Sequence, residues 1–186
     1  MATQFRSEQD LQRYFLPKLR NVVDYMVQKI LAENRAVVEQ IVYAAYQPTV
    51  YNRTGEFKEA WETDSQEMTA QSKVRGEFKY APDKLTPGTN DMSDPHYGQH
   101  YTGANGESSK GGPEMTEGLA EVIYQGLAGP AFGHGTTTGA WHAKRNAWEA
   151  LLKVVSKTAI RQWFREGCAR EGIPIQGHTK GIGTFD

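Results

Sequence analysis

Between Ser7 and Ala45 the apolar residues Leu11, Phe15, Leu19, Val22, Met26, Ile30, Val37, Ile41 and Ala45 recur at steps of mostly three or four. That period places them on one side of an α-helix and polar residues on the other. A helical region over 6–46 follows. Pro17 either kinks it or opens a second helix after a short first one, since proline is tolerated at a helix's first turn. Pro48 ends it, because the residue before a proline is driven out of the helical region. A chain of 186 residues that commits its first quarter to such a helix must bury the apolar stripe against later elements.

The period changes at 67–81, "EMTAQSKVRGEFKYA". Met68, Ala70, Ser72, Val74, Gly76, Phe78 and Tyr80 alternate with Thr69, Gln71, Lys73, Arg75, Glu77 and Lys79. This predicts a strand with one solvated face. A short helix is expected over 54–62, with Thr54 as its cap, Glu56 and Glu59 at the positive end of its dipole, and Phe57, Ala60 and Trp61 buried. Residues 82–117 are rich in Gly, Pro, Ser, Asn and Asp and read as a long glycine-rich loop, followed by a second strand at 118–127. A C-terminal helix is expected over 141–166, with Trp148, Leu151, Leu152, Val155, Ala159 and Trp163 on its apolar side and Gly167 as its stop. Residues 172–186 read as an extended arm. The whole is a single α+β domain: a long N-terminal helix, a small antiparallel sheet with long loops, and an amphipathic C-terminal helix.

Composition narrows the chemistry. Lys and Arg number 21 against 22 Asp and Glu, a net charge of −1, so nothing pulls the whole chain toward nucleic acid or an anionic membrane. One cysteine, Cys168, gives no internal disulfide, no zinc spacing and no recognisable nucleophile pairing, and fits a reducing compartment. The opening "MATQFRSEQD" has no signal-like apolar run, and no stretch reaches a membrane span, so a soluble protein without membrane partners is expected. Asp94, His96 and His100 cluster in "DPHYGQHY", but within a loop and not at helical zinc-site spacing. "GPAFGHGTTTG" lacks the lysine of a phosphate loop. No cofactor, metal or catalytic residue is assigned, and a non-enzymatic protein is expected. Lys153, Lys157, Arg161 and Arg165, four apart, form a basic face opposite the apolar one. It is either a solvated helix face or a surface for DNA phosphates or an acidic neighbour. Residues 51–120 sum to −5 and 121–186 to +3, a polarity that suits head-to-tail packing of identical copies.

One stretch carries a family likeness. "VYAAYQPTVYNRTGEF" supplies Val42, Tyr43, Tyr46, Pro48, Val50, Tyr51, Arg53, Thr54, Gly55 and Phe57. It resembles the Val-Tyr, Tyr-x-Pro, Tyr-x-Arg-Thr-Gly series of neck, or head-to-tail joining (tail-completion), proteins of long-tailed bacteriophages. In that family the series ends a long N-terminal helix and an apolar residue, usually leucine, stands where Phe57 stands here. "LAEVIYQGLAG", a glycine-rich loop and a Trp-containing helix follow the family's order. The loop 82–117 and the C-terminal arm are longer than the family pattern. The resemblance implies a virion protein of the neck, made in the host cytoplasm. It would form a homo-oligomeric ring between head connector and tail, touch other neck, connector and tail proteins, and surround DNA passing through the channel. It also implies that Thr54 and Gly55 make the cap and tight entry of a short helix. Tyr51 and Arg53, with Tyr46 and Pro48, then either brace the turn or meet a neighbouring subunit.

Overall fold

A computed structural model describes residues 5–44, 55–86, 120 and 146–175. The fold is α+β: a long N-terminal helix, a two-stranded antiparallel sheet and C-terminal helices. Helix α1 runs from Glu8 to Val37 without interruption, carrying Pro17 inside it. Ser7 caps its start, the hydroxyl accepting from the Asp10 N–H at 3.1 Å. The helix continues as one π-helical stretch, Val38–Tyr43, in which the Ala44 N–H reaches the Glu39 carbonyl five residues back at 2.9 Å. Helix α2 is a single turn, Glu56–Glu59. Strands β1 (Trp61–Met68) and β2 (Lys73–Tyr80) form a hairpin joined by a 3₁₀ turn at Thr69–Gln71 and by Ser72 in the left-handed region. Helices α3 (Ala147–Val154) and α4 (Lys157–Arg170) close the described chain.

Four expectations change. The alternation over 67–81 is not one strand: it crosses a turn, and the partner of β2 is β1, immediately before it. The short helix ends at Glu59, so Trp61 opens a strand instead of sharing a helical face. The C-terminal helix is two helices, because Ser156 leaves the helical region and caps α4 through its hydroxyl, which accepts from the Ala159 N–H at 3.3 Å. Trp148 and Leu152 consequently stand exposed, while Leu151, Val155, Ile160 and Trp163 are buried. Gly167 is no stop. Helix α4 ends three residues later in a Schellman turn, with Gly172 at φ +65°, the Ile173 N–H on the Cys168 carbonyl and the Gly172 N–H on the Ala169 carbonyl; Pro174 follows. Of the expected strand 118–127 only Ala120 is described, and it is helical instead of extended; the loop from residue 87 to 117 lies outside the described residues.

The described residues fall into two compact units. The first joins 5–33, 63–79 and 153–175. Here the hairpin is fastened along α1: Gln12 donates to the Ser72 hydroxyl, Arg20 Nε to the Ser65 carbonyl (3.2 Å) and Gln28 to the Thr63 hydroxyl (2.7 Å). Two glycines set how closely the elements approach. A Cβ on Gly76 of β2 would stand 2.6 Å from Val23 Cγ1 and 2.8 Å from Val27 Cγ1. One on Gly167 of α4 would stand 2.9 Å from Val22 Cγ1 and 3.3 Å from its Cα. The second unit joins 34–44, 55–62, 80–86 and 146–152, with Val38, Val42, Phe57, Trp61, Leu85 and Leu151 buried.

Gly167→Ala tests this packing against helix propensity. Alanine in a helix interior is favoured over glycine by ~1 kcal/mol, whereas forcing a methyl into a filled contact costs ~1–3 kcal/mol. Because a backbone atom of Val22 is among those met, the clash prevails and the variant loses stability. Gly76→Ala, facing two stiff valines, loses ~1–3 kcal/mol. Urea unfolding of both variants beside the parent measures the difference; a stabilised Gly167→Ala protein contradicts the close approach.

Candidate functional site

The Val42–Phe57 series leaves α1 and returns at α2, and its described ends are tied together. The Lys58 N–H donates to the Tyr43 hydroxyl at 3.2 Å as well as to the Gly55 carbonyl at 3.1 Å. Lys58 Nζ lies 3.0 Å from a Glu39 carboxylate oxygen, and Arg35 pairs with Glu59. Both ion pairs are largely exposed and individually weak. Their common effect is geometric: they hold the π-helical end of α1 beside α2. The π stretch contributes by letting the Glu39 carbonyl accept from Ala44 while the chain reaches Tyr43 at its last position. Gly55, and not the expected Thr54, occupies the cap position of α2; it does so at φ +79°, a conformation that costs an L side chain ~1–2 kcal/mol. Nothing approaches its absent Cβ within 4 Å, so the requirement there is conformational and not steric. Tyr46, Pro48, Tyr51, Arg53 and Thr54 lie outside the described residues.

The far side of α2 is equally fixed. The Glu56 carboxylate accepts from the Thr86 N–H at 2.8 Å and from its hydroxyl at 3.0 Å. Lys84 Nζ donates to the Trp61 carbonyl at 3.2 Å and lies 3.5 Å from Glu62, and the Ala81 N–H donates to the Ala60 carbonyl at 3.0 Å. Beneath these contacts the rings of Phe57, Trp61 and Tyr80 meet pairwise, with centroids 5.3–6.1 Å apart in tilted and edge-on arrangements. Burial pushes the Tyr80 phenol well above its ordinary pKa. The base of the series is therefore a rigid aromatic platform, a role for Trp61 and Tyr80 that the sequence reading did not assign.

The basic face is only partly one surface. Lys157, Arg161 and Arg165 follow one another along α4, all exposed, and Lys153 belongs to α3 beyond the break at Ser156. The two acids at the end of α4, Glu166 and Glu171, are engaged by side chains of α1 and not by the row. Glu166 accepts from Tyr25 Oη at 2.7 Å and from Gln162 at 2.9 Å; Glu171 accepts from Asn21 at 3.2 Å. The Gln162 contact first, then that of Tyr25, holds the Glu166 carboxyl below its ordinary pKa. Arg165 also borders an open cleft of about 360 Å³ lined by Ala169, Ile173 and Ile175.

Cys168 is buried, and burial raises its thiol above the ordinary value, the opposite of what activates a nucleophile. No three or more His, Cys, Asp or Glu side chains among the described residues converge to hold a metal. His96 and His100 lie outside them, as does Asp94. No described helix is long and apolar enough to cross a membrane. Comparison with known protein families, with characterised proteins and with solved structures finds no match.

Two measurements check the platform. Phe57→Ala should lower stability by ~3–5 kcal/mol, while Phe57→Leu, which keeps most of the volume, should cost under ~1.5 kcal/mol; denaturant titration separates them. Tyr80 gives a pH signature. Its folded pKa lies above the unfolded value of 10.0, so its contribution is intact below pH 10. It is lost as pH rises, because the unfolded chain releases a proton that the folded one retains. Melting temperature followed from pH 8 to 11 should fall more steeply for the parent than for Tyr80→Phe.

Proposed function

We propose that this chain is a non-enzymatic structural subunit of the neck of a long-tailed bacteriophage, a homo-oligomeric ring that joins the head connector to the tail. The Val42–Phe57 series carries the reading. What supports it structurally is that Tyr43, Gly55 and Phe57, three of its members, belong to one tied and aromatic-backed base. A base of that kind suits a turn that presents side chains to a neighbour, since a loop held at both ends loses less entropy on docking. The ring would sit in the virion and surround DNA passing through its channel, in contact with connector and tail-tube proteins.

Arg53 is the residue of this turn best suited to a subunit contact, because a planar guanidinium makes several directed hydrogen bonds to a carboxylate or to carbonyls. Arg53→Ala should leave the melting temperature unchanged and abolish assembly into necks or tailed particles, since truncating one partner of a buried charged contact costs ~2–5 kcal/mol. Gly55→Ala supplies the contrast: at φ +79° an L side chain costs ~1–2 kcal/mol of folding stability and impairs assembly only through it. Normal assembly by Arg53→Ala, or a melting temperature that drops in step with assembly, removes the interface role.

A second reading, a nucleic-acid-binding module, is favoured by one observation: Lys157, Arg161 and Arg165 have no acidic partner among the described residues. Duplex affinity that falls with salt at a slope set by about three phosphates, and that is lost with these three cations, would support it.

A further inference from the structure

The charge of the chain is sorted by unit. Among the described residues, the first unit holds 13 basic and 9 acidic side chains, a net +4, and the second holds 3 basic and 6 acidic, a net −3. Within the first unit the surplus is concentrated on α4. Lys157, Arg161 and Arg165 span two turns, about 12 Å at 1.5 Å per residue, and drift ~40° per step around the helix. All three are exposed, and Glu166 and Glu171 are spent on Tyr25, Gln162 and Asn21. At the end of the row Arg165 lines an open cleft together with Ala169, Ile173 and Ile175, held in place by the Schellman turn at Gly172 and by Lys18 Nζ on the Glu171 carbonyl at 2.8 Å. A cationic row that ends beside the half-buried alkyl groups of Ile173 and Ile175 matches an acidic protein surface carrying an apolar side chain. It is less suited to a phosphate backbone, which offers charge and no apolar group for the two isoleucines.

We propose that the α4 row and its cleft form a self-association surface, and that its occupant is the acidic second unit of another copy of this chain. The contact is heterologous: each copy offers α4 to one neighbour and its own second unit to the other, so association propagates head to tail and closes into a ring where the rotation permits. Opposite net charges on the two units steer the encounter and fix its direction, and charge of this kind governs on-rate and specificity more than affinity. This names the subunit contact of the neck reading and rests on that reading for ring closure, but the contact itself stands or falls in purified protein.

The test uses the full chain in three arms. Sedimentation velocity of the parent should show concentration-dependent self-association at low salt that weakens as ionic strength rises. Lys157→Glu with Arg161→Glu and Arg165→Glu should weaken it at least tenfold. The same three positions changed to Gln should give an intermediate loss, with melting temperatures confirming that both triple variants fold. In the third arm, a photoreactive benzoylphenylalanine replaces Thr158, exposed beside the row. Mixed heavy- and light-isotope subunits should then give crosslinks between copies that map to Asn34–Glu62 or Tyr80–Leu152. A parent that is monomeric under all these conditions overturns the proposal. So does self-association that survives charge reversal, a crosslink confined to one copy or to the first unit, or duplex DNA binding through these cations without self-association. Head-to-tail association in protein that nevertheless never enters phage particles would uphold the surface and sink the neck reading alone.

Discussion

Everything in the first unit depends on how closely two elements approach one stretch of α1. Val22, Val23 and Val27 face a strand through Gly76 and a helix through Gly167, and in each case the missing side chain is what permits the distance. Val22 is fully buried as a result. Dispersion and burial then act over a short, dense contact, where a gap of under an ångström already forfeits much of the attraction. The polar contacts that flank it, from Gln12, Arg20 and Gln28 to the hairpin and from Tyr25 and Asn21 to α4, set register more than they add stability. Helix α1 is thus the template, and both partners are fitted to it by absence of volume.

The long helix was legible because its apolar stripe repeats over many turns and outlasts the single proline. The hairpin was not, for a physical reason. Strand β1 directs Trp61 and Ser65 into the protein, and near them Thr63 is engaged by Gln28 and the Ser65 carbonyl by Arg20. Burial satisfied by hydrogen bonds leaves no apolar alternation to read. Strand β2 was legible, but the even-numbered pattern of Met68, Ala70 and Ser72 continues by coincidence through a 3₁₀ turn and a left-handed residue. At the C-terminus the spacing of Leu151, Val155, Ala159 and Trp163 suits one helix, and it disguises Ser156, whose capping chemistry breaks the element without disturbing the apolar count. Gly172 followed by Ile173 and Pro174 is a stop signal that the more conspicuous Gly167 masked.

The basic row was visible as a spacing, yet its significance came from what surrounds it. Sequence order puts Glu166 next to Arg165. The fold turns that carboxylate toward Tyr25 and the cation outward. The same holds for α2, where Glu56 and Glu59 read as helix-dipole partners and prove to be clasps, one on Thr86 and one on Arg35. Charge patterns along a chain state how much charge there is; which of it is free to meet a partner is decided by tertiary hydrogen bonds.

Cys168 follows Gly167, its side chain almost completely buried. Since the chain has one cysteine, that thiol is a built-in clock for the loosening of α4. A reagent can reach it only during excursions that uncover the helix, so the labelling rate reads the free energy of that local opening and not of global unfolding alone. Anything that restrains α4 slows that rate even where the fold is unchanged. The chain thereby carries a gauge of its own breathing, at a position where no engineered label is needed.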